Sequence, residues 1–204
     1  MSLMRVFRVG LVLFAALLPL TLNGAGGQER AAAPPAARPA DAFAGKTMDQ
    51  LFAQLADKSD PDAGQAAENE IQRRWLNSGS DTIDLLMQWS AQSLAAKDYG
   101  ASLDFLDAVT ALKPDYAEGW NRRATIFYLQ DDYGKAIADL EKVLALEPRH
   151  FGALAGLGLI LRDVDRKADA LAALQKALAI DPYLDSDVQD TIDELKPEVD
   201  GEEI

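Results

Sequence analysis

The chain has 204 residues, a net charge of −13 at pH 7, no cysteine and a single histidine. The missing cysteines exclude disulfides, a lipid-modified cysteine anchor and cysteine nucleophiles, and one histidine leaves too few soft ligands for an ordinary zinc site. The acidity disfavours nonspecific attraction to nucleic acid and to anionic lipid and favours partners with a basic surface, although the same charge also serves solubility alone.

At the N-terminus Arg5 and Arg8 precede an uncharged stretch from Val9 to Leu22, which ends in Asn-Gly-Ala-Gly-Gly. This pattern predicts a signal peptide over residues 1–25 with cleavage near Ala25, since a membrane span needs roughly 20 apolar residues and this run is shorter. The expected location is therefore periplasmic or secreted, without stable membrane insertion once the signal is removed, and membrane-tethered only if it is not cleaved. Residues 26–46 are rich in Ala, Pro and Gly, including Ala-Ala-Ala-Pro-Pro-Ala-Ala-Arg-Pro-Ala, and read as a flexible linker.

The first predicted helix starts at Thr47 as N-cap and presents Leu51, Phe52 and Leu55 on one face before Ser59-Asp60-Pro61 breaks it. A second, over about Asp62 to Leu76, carries Ala67, Ile71 and Trp75 on its apolar stripe. The two predict a helical hairpin within 47–80, either an N-terminal cap or a degenerate repeat.

Further on, Pro114, Pro148 and Pro182 fall 34 residues apart, and each closes an apolar helical pattern that begins again just after it. The segments 83–114, 117–148 and 151–182 align without a gap, which marks a helical repeat array over 81–182. In the middle segment a first helix carries Trp120, Ala124 and Phe127 and a second carries Ala136, Leu140 and Val143; the next repeats this with Leu154, Leu157, Gly158 and Leu161, then Ala170, Leu174 and Ala177. Small residues at Ala124, Gly158, Ala136 and Ala170 let two helices approach closely, and the large ones fill the remaining space.

This pattern, W-x3-[small]-x2-F followed by A-x3-[large]-x2-[small]-x4-P, resembles the tetratricopeptide repeat. The segment 83–114 follows it more weakly, with Leu86, Trp89, Ser90, Ser93, Tyr99, Ser102, Leu106, Val109 and Pro114 at the matching positions. Arg123 departs from it, standing where leucine is usual; its aliphatic stem is expected to cover the core while the guanidinium reaches water. The resemblance implies an all-α fold, an α-solenoid of antiparallel helix pairs with terminal capping helices. It also implies a concave groove lined by the first helix of each repeat. Carried over position by position, the groove residues are Asp84, Met87 and Leu94 from the first repeat, Asn121, Thr125 and Tyr128 from the second, and Ala155, Leu159 and Arg162 from the third. Such a set suits an extended peptide with a polar backbone and an aliphatic anchor, though each of these residues also fits an ordinary solvated helix face. The pair of lysines that some relatives use to clamp a C-terminal carboxylate is not evident.

After the array, Asp185 or Ser186 caps a helix with Val188, Ile192 and Leu195 on its apolar face, which is expected to stop at Pro197. Residues 183–204 thus read as an acidic C-terminal capping helix and tail, the polar terminal element that a solenoid needs.

No catalytic constellation stands out. His150 lies at the entry to a helix, where a structural or surface role is expected; the Gly152–Gly158 stretch follows no strand and leads to no lysine, so its glycines read as close-packing positions rather than a nucleotide loop. The expectation is a protein that is not an enzyme and uses no cofactor or metal: an exported interaction module, scaffold or adaptor, binding a partner protein or peptide through its groove. The alternative is a soluble chaperone-like carrier of peptides or cell-wall fragments in the envelope.

Overall fold

The computed structural model describes residues 43–202, which form nine α-helices and no strand. They are α1 (Met48–Leu55), α2 (Pro61–Leu76), α3 (Asp81–Ala95), α4 (Tyr99–Leu112), α5 (Ala117–Leu129), α6 (Tyr133–Leu146), α7 (Phe151–Asp163), α8 (Lys167–Ile180) and α9 (Ser186–Glu202). The predicted signal peptide and the part of the predicted linker up to residue 42 lie outside the described residues. None of the described helices is long and apolar enough to cross a membrane.

Helix pairs α3–α4, α5–α6 and α7–α8 follow one another at the 34-residue period, and the chain solves the same local problem the same way in each. The first helix of every pair ends on a left-handed residue, Lys97, Asp131 and Asp165, with φ of 60°, 58° and 61°. In each case the next residue donates its N–H back five positions, Asp98 to Ser93, Asp132 to Phe127 and Arg166 to Leu161, which satisfies a carbonyl that the helix end would orphan. The second helix then starts under a side-chain cap in the first two pairs, where Asp98 and Asp132 accept from the N–H groups of Ala101 and Lys135. The corresponding residue of the third pair is Arg166, which gives no such cap.

Within each pair the helices meet at the small residues. Ala124 and Ala136 are buried together in the middle pair, and Gly158 in the third lies so close to Leu174 that a Cβ there would fall 2.5 Å from its Cγ. Ser90 and Ser102 hold the same register in the first pair, fully buried with their hydroxyls 2.9 Å apart and Ser102 donating to the Ser90 carbonyl. A polar pair is tolerated there because each hydroxyl has a partner. Between pairs, α4 packs on α5 and α6 on α7: Leu106 and Val109 share a core with Ile126, and Leu140 and Val143 share one with Ala153 and Ile160.

Arg123 does not send its guanidinium to water. It forms a two-pronged ion pair with buried Asp139, its Nε 2.8 Å from Oδ2, adds Asp107 and the Thr110 hydroxyl, and lies 4.7 Å above the Trp120 ring. The arginine thus fills a leucine position because its charge is matched on three sides.

The α1–α2 hairpin folds back onto the turns between repeats. Leu51, Phe52, Leu55, Ala67 and Ile71 form its core together with Phe43 and with Phe151 at the start of α7, and Trp75, Ile180, Tyr183 and Leu184 close around them. Phe43 and Lys46, at the end of the predicted linker, belong to this unit, since their carbonyls accept from the Arg74 guanidinium. Gly64 admits the Tyr183 ring so closely that a Cβ would lie 2.4 Å from it. Of the two roles expected for His150, structural or surface, it takes the structural one: it is buried, Nδ1 accepts the Ala153 N–H to cap α7, and the ring stacks on Trp75 with centroids 4.2 Å apart.

At the other end α9 lays Val188, Ile192 and Leu195 against Leu171, Leu174 and Ala177 of the last pair. It runs through Pro197 instead of stopping there. The proline is exposed, so water can meet the one carbonyl that loses its partner, while Leu195 before it remains buried.

Candidate functional site

The first helices α3, α5 and α7 lie side by side and carry the predicted groove residues. Between α3 and α5 opens a cleft of about 210 Å³ lined by Asp84, Met87, Gln88 and Ala91 of α3, by Tyr116 and Arg122, and by Leu76 at the end of α2. Its floor is apolar and its rim charged. Met87 is buried, so it meets a ligand only from the floor, packed with Ile83 and Leu106. Asp84 is held at the rim by the Ser78 hydroxyl, which donates to its carboxylate at 2.5 Å.

Opposite, Arg122 donates to Glu118 at 3.1 Å and Asn121 donates to the other carboxylate oxygen at 3.0 Å. Burial works against the Glu118 charge, but the contacts from His150, Arg122 and Asn121 outweigh it and hold the carboxyl below its usual range. His150 Nε2 stands 3.5 Å from this carboxylate, which links the rim to the Trp75 stack beneath the hairpin. Tyr116 donates its hydroxyl to the Leu76 carbonyl and fixes the hairpin's last turn as one wall of the cleft.

A second cluster forms where α5 meets α7. The Tyr128 hydroxyl donates to Asp163 at 3.1 Å, and Arg162 grips the same side chain at 2.8 Å. Burial, reinforced by the Asp163 charge, pushes the Tyr128 hydroxyl up to about 12, so it is a neutral donor at every physiological pH.

The predicted set therefore divides. Asp84 and Met87 share the α3–α5 cleft, Tyr128 and Arg162 meet at Asp163, and Asn121 and Thr125 are half-buried between, Asn121 engaged with Glu118 and Thr125 donating back to the Asn121 carbonyl. Leu94 and Leu159 are half-buried, and Ala155 is buried in the last core. The predicted set omits Leu76, Gln88, Ala91, Tyr116 and Arg122 of the cleft, and Glu118 beside it. The repeat register could have found Ala91, 34 residues before Thr125, and Glu118, 34 after Asp84; Gln88 and Arg122 are register equivalents of each other but of no predicted residue. Register does not show that His150, which comes from the next repeat, stands beside Glu118.

Among the described residues no group of three or more His, Cys, Asp or Glu side chains is arranged to hold a metal ion. What the site offers is a row of polar anchors over an apolar floor, the chemistry of recognition by hydrogen bonding and burial.

Comparison with known proteins agrees with this geometry. Models of the tetratricopeptide repeat match residues 117–150 and 151–183. A TPR repeat-containing protein of Rhizobium etli is 54% identical over 82 residues, a stretch that covers 40% of this chain and 40% of that protein. Among solved structures, the TPR2B domain of yeast Sti1 in its complex with pHsp70 superposes with a TM-score of 0.54 at 18% identity, covering 58% of this chain and 99% of that one. The Yersinia enterocolitica type III secretion chaperone SycD, in complex with a peptide of the translocator YopD, gives a TM-score of 0.56 at 14% identity over 58% of this chain and 95% of that one. Residues 117–183 thus match two tetratricopeptide repeats, and the pairs α3–α4, α5–α6 and α7–α8 together share the fold of a helical solenoid.

Proposed function

We propose that this chain is an exported interaction module, a scaffold or adaptor that captures a partner protein through the face formed by α3, α5 and α7. The observation that carries the reading is the α3–α5 cleft, where an apolar floor of Met87 and Ala91 lies beside hydrogen-bonding side chains already held in place by Ser78 and Glu118. Fixed donors and acceptors lose little entropy on binding, so they favour capture of a segment that supplies an aliphatic side chain and a polar backbone. The solved structures of similar fold hold pHsp70 or a YopD peptide; that is their property, and here it supports only the mode of binding. Export rests on the Arg5, Arg8 and Val9–Leu22 pattern, and the excess of negative charge favours a partner with a basic surface.

The test is affinity capture from envelope extract with the full chain beside the variant Gln88→Ala/Arg122→Ala, with partners read by mass spectrometry. A partner present with the parent chain and lost with the variant, whose helical circular dichroism is unchanged, is the expected result. Equal recovery by both would remove the cleft from the account.

A further inference from the structure

The same register that locates the groove exposes a second surface. In α5 the positions Gly119, Arg123 and Ile126, and in α7 the positions Ala153, Leu157 and Ile160, form the stripe that receives the second helix of the preceding repeat. Gly119 lies against Val109 of α4, so closely that a Cβ would come within 2.7 Å of its Cγ1. Arg123 bonds to Asp107 and Thr110 of α4, and Ile126 shares a core with Leu106 and Val109. In α7 the equivalent three residues pack with Leu140, Val143 and Leu144 of α6.

Subtracting 34 once more places Leu85, Trp89 and Gln92 of α3 in this stripe. None of the described helices covers them, because the α1–α2 hairpin packs on the turns near Tyr116, Phe151 and Tyr183 instead. Leu85 and Trp89 are 43% and 41% exposed, and Trp89 tilts against Phe105 of α4 with ring centroids 5.5 Å apart. Between them Gln92, Ser93 and the two rings line an open hollow of about 370 Å³. This side of α3 faces away from Met87 and Ala91, about half a turn round the helix, and so is separate from the groove.

We propose that the outer face of α3 docks an amphipathic helix of a partner protein, one with an apolar stripe for Leu85, Trp89 and Phe105 and with lysine or arginine along its flanks. That a helix is the occupant follows from the two seams within the chain, where a helix fills the same positions. That it is basic follows from charge. The α3–α4 pair carries Asp81, Asp84, Asp98, Asp104 and Asp107 against Lys97 alone, and Asp107 is already engaged by Arg123. A second copy of the chain is disfavoured on the same ground. Another α3–α4 pair brings the same carboxylates, and the free side of α9 presents Asp187, Asp190, Asp193 and Glu194.

The test uses the full chain and a synthetic 16-residue helical peptide with leucines at i, i+4, i+7 and i+11 and lysines on either side, titrated calorimetrically. A control peptide carries glutamates in place of the lysines. The lysine peptide should bind at least about tenfold more tightly than the control and weaken as salt rises. Trp89→Glu and Leu85→Glu, both at exposed positions, should each weaken it at least about tenfold, while the groove variant Arg122→Ala leaves it unchanged. Equal binding of the two peptides, no binding, or binding that survives Trp89→Glu would overturn the proposal. So would a dimer in sedimentation that Trp89→Glu disperses, or a crosslink from a photoreactive residue at position 89 to residues 1–42 of the same chain; these would name a second copy or that segment as the occupant.

Discussion

The first helix pair, α3–α4, and the two that follow it are built to one register but end in different circumstances. In α5–α6 and α7–α8 every stripe is covered, by α4 and α6 on one side and by α9 at the far end. In α3–α4 no described helix covers the corresponding stripe, and the residues there are larger: Leu85 and Trp89 stand where the chain elsewhere uses Gly119 or Ala153 and Arg123 or Leu157. A seam between two helices of one chain selects small residues, since both sides are fixed; a face left open is free of that constraint. The difference also decides how firmly each pair is held, because in a solenoid stability is a sum of repeats and of the interfaces between them.

Truncating the same core leucine in each pair breaks this comparison open most directly. Leu106, Leu140 and Leu174 are register equivalents and are all buried. Leu140→Ala should cost about 2–5 kcal/mol and lower the transition of the whole array, because α6 is clamped on both sides. Leu106→Ala should instead loosen α3–α4 ahead of the rest, seen in hydrogen exchange as early loss of protection over 81–112. Identical exchange patterns in the two variants would show that the open face makes no difference to coupling.

The Arg123 seam comes next. Arg123→Ala leaves Asp139 buried without its counter-charge and unlinks α5 from α4, for an expected loss of about 2–4 kcal/mol by chemical denaturation. Arg123→Leu restores the residue usual in similar repeats; paired with Asp139→Ala it should recover most of that loss, and failure of the double variant to do so would mean that the ion pair is more than a substitute for packing.

A smaller effect, opposite in sign, is expected at the third turn. Arg166 occupies the position at which Asp98 and Asp132 cap their helices, so Arg166→Asp should raise stability by about 0.5–1.5 kcal/mol. No gain in the melting temperature would contradict the equivalence of the three turns.

The hairpin seam adds a pH-dependent contribution of its own. Partial burial, with the nearby Asp181 charge added, pushes the Glu68 carboxyl up to about 7. An acid whose folded pKa is raised holds its proton longer in the folded state, so its contribution to stability is greatest below the ordinary carboxylate range and falls as pH rises from about 4.5 to about 7. Glu68→Gln should flatten that slope and protect α1–α2 from exchange at pH 8; an unchanged slope would assign the pH dependence elsewhere.

How much of this was legible in the sequence follows from which contacts are local. The 34-residue spacing, the small pairs Ala124–Ala136 and Gly158–Ala170, the Thr47 cap and the apolar face of α9 all depend on neighbours within one helix pair or one turn, and these the pattern of residues displays. The seat of the α1–α2 hairpin depends on Trp75 meeting His150 and on Gly64 meeting Tyr183, pairings across long stretches of chain that no periodicity encodes. His150 consequently read as structural or surface with no choice between them, and it is buried. Register assigns Asn121, Thr125 and Tyr128 to one face of α5, but it says nothing of side-chain engagement, such as the hold of Asp163 on Tyr128 and of Glu118 on Asn121. Met87 shows the same gap: its register places it toward the groove, while packing with Ile83 and Leu106 draws it into the floor.

The central claim is that the face of α3, α5 and α7 receives a partner. The most direct measurement is site-specific photo-crosslinking in cells, with a photoreactive residue at Thr125 on the groove side of α5 or at exposed Lys142 on α6. The account predicts one discrete adduct from position 125, diminished by Gln88→Ala/Arg122→Ala, and none from position 142. Adducts from position 142 alone, or an adduct at 125 indifferent to the cleft substitutions, would contradict it.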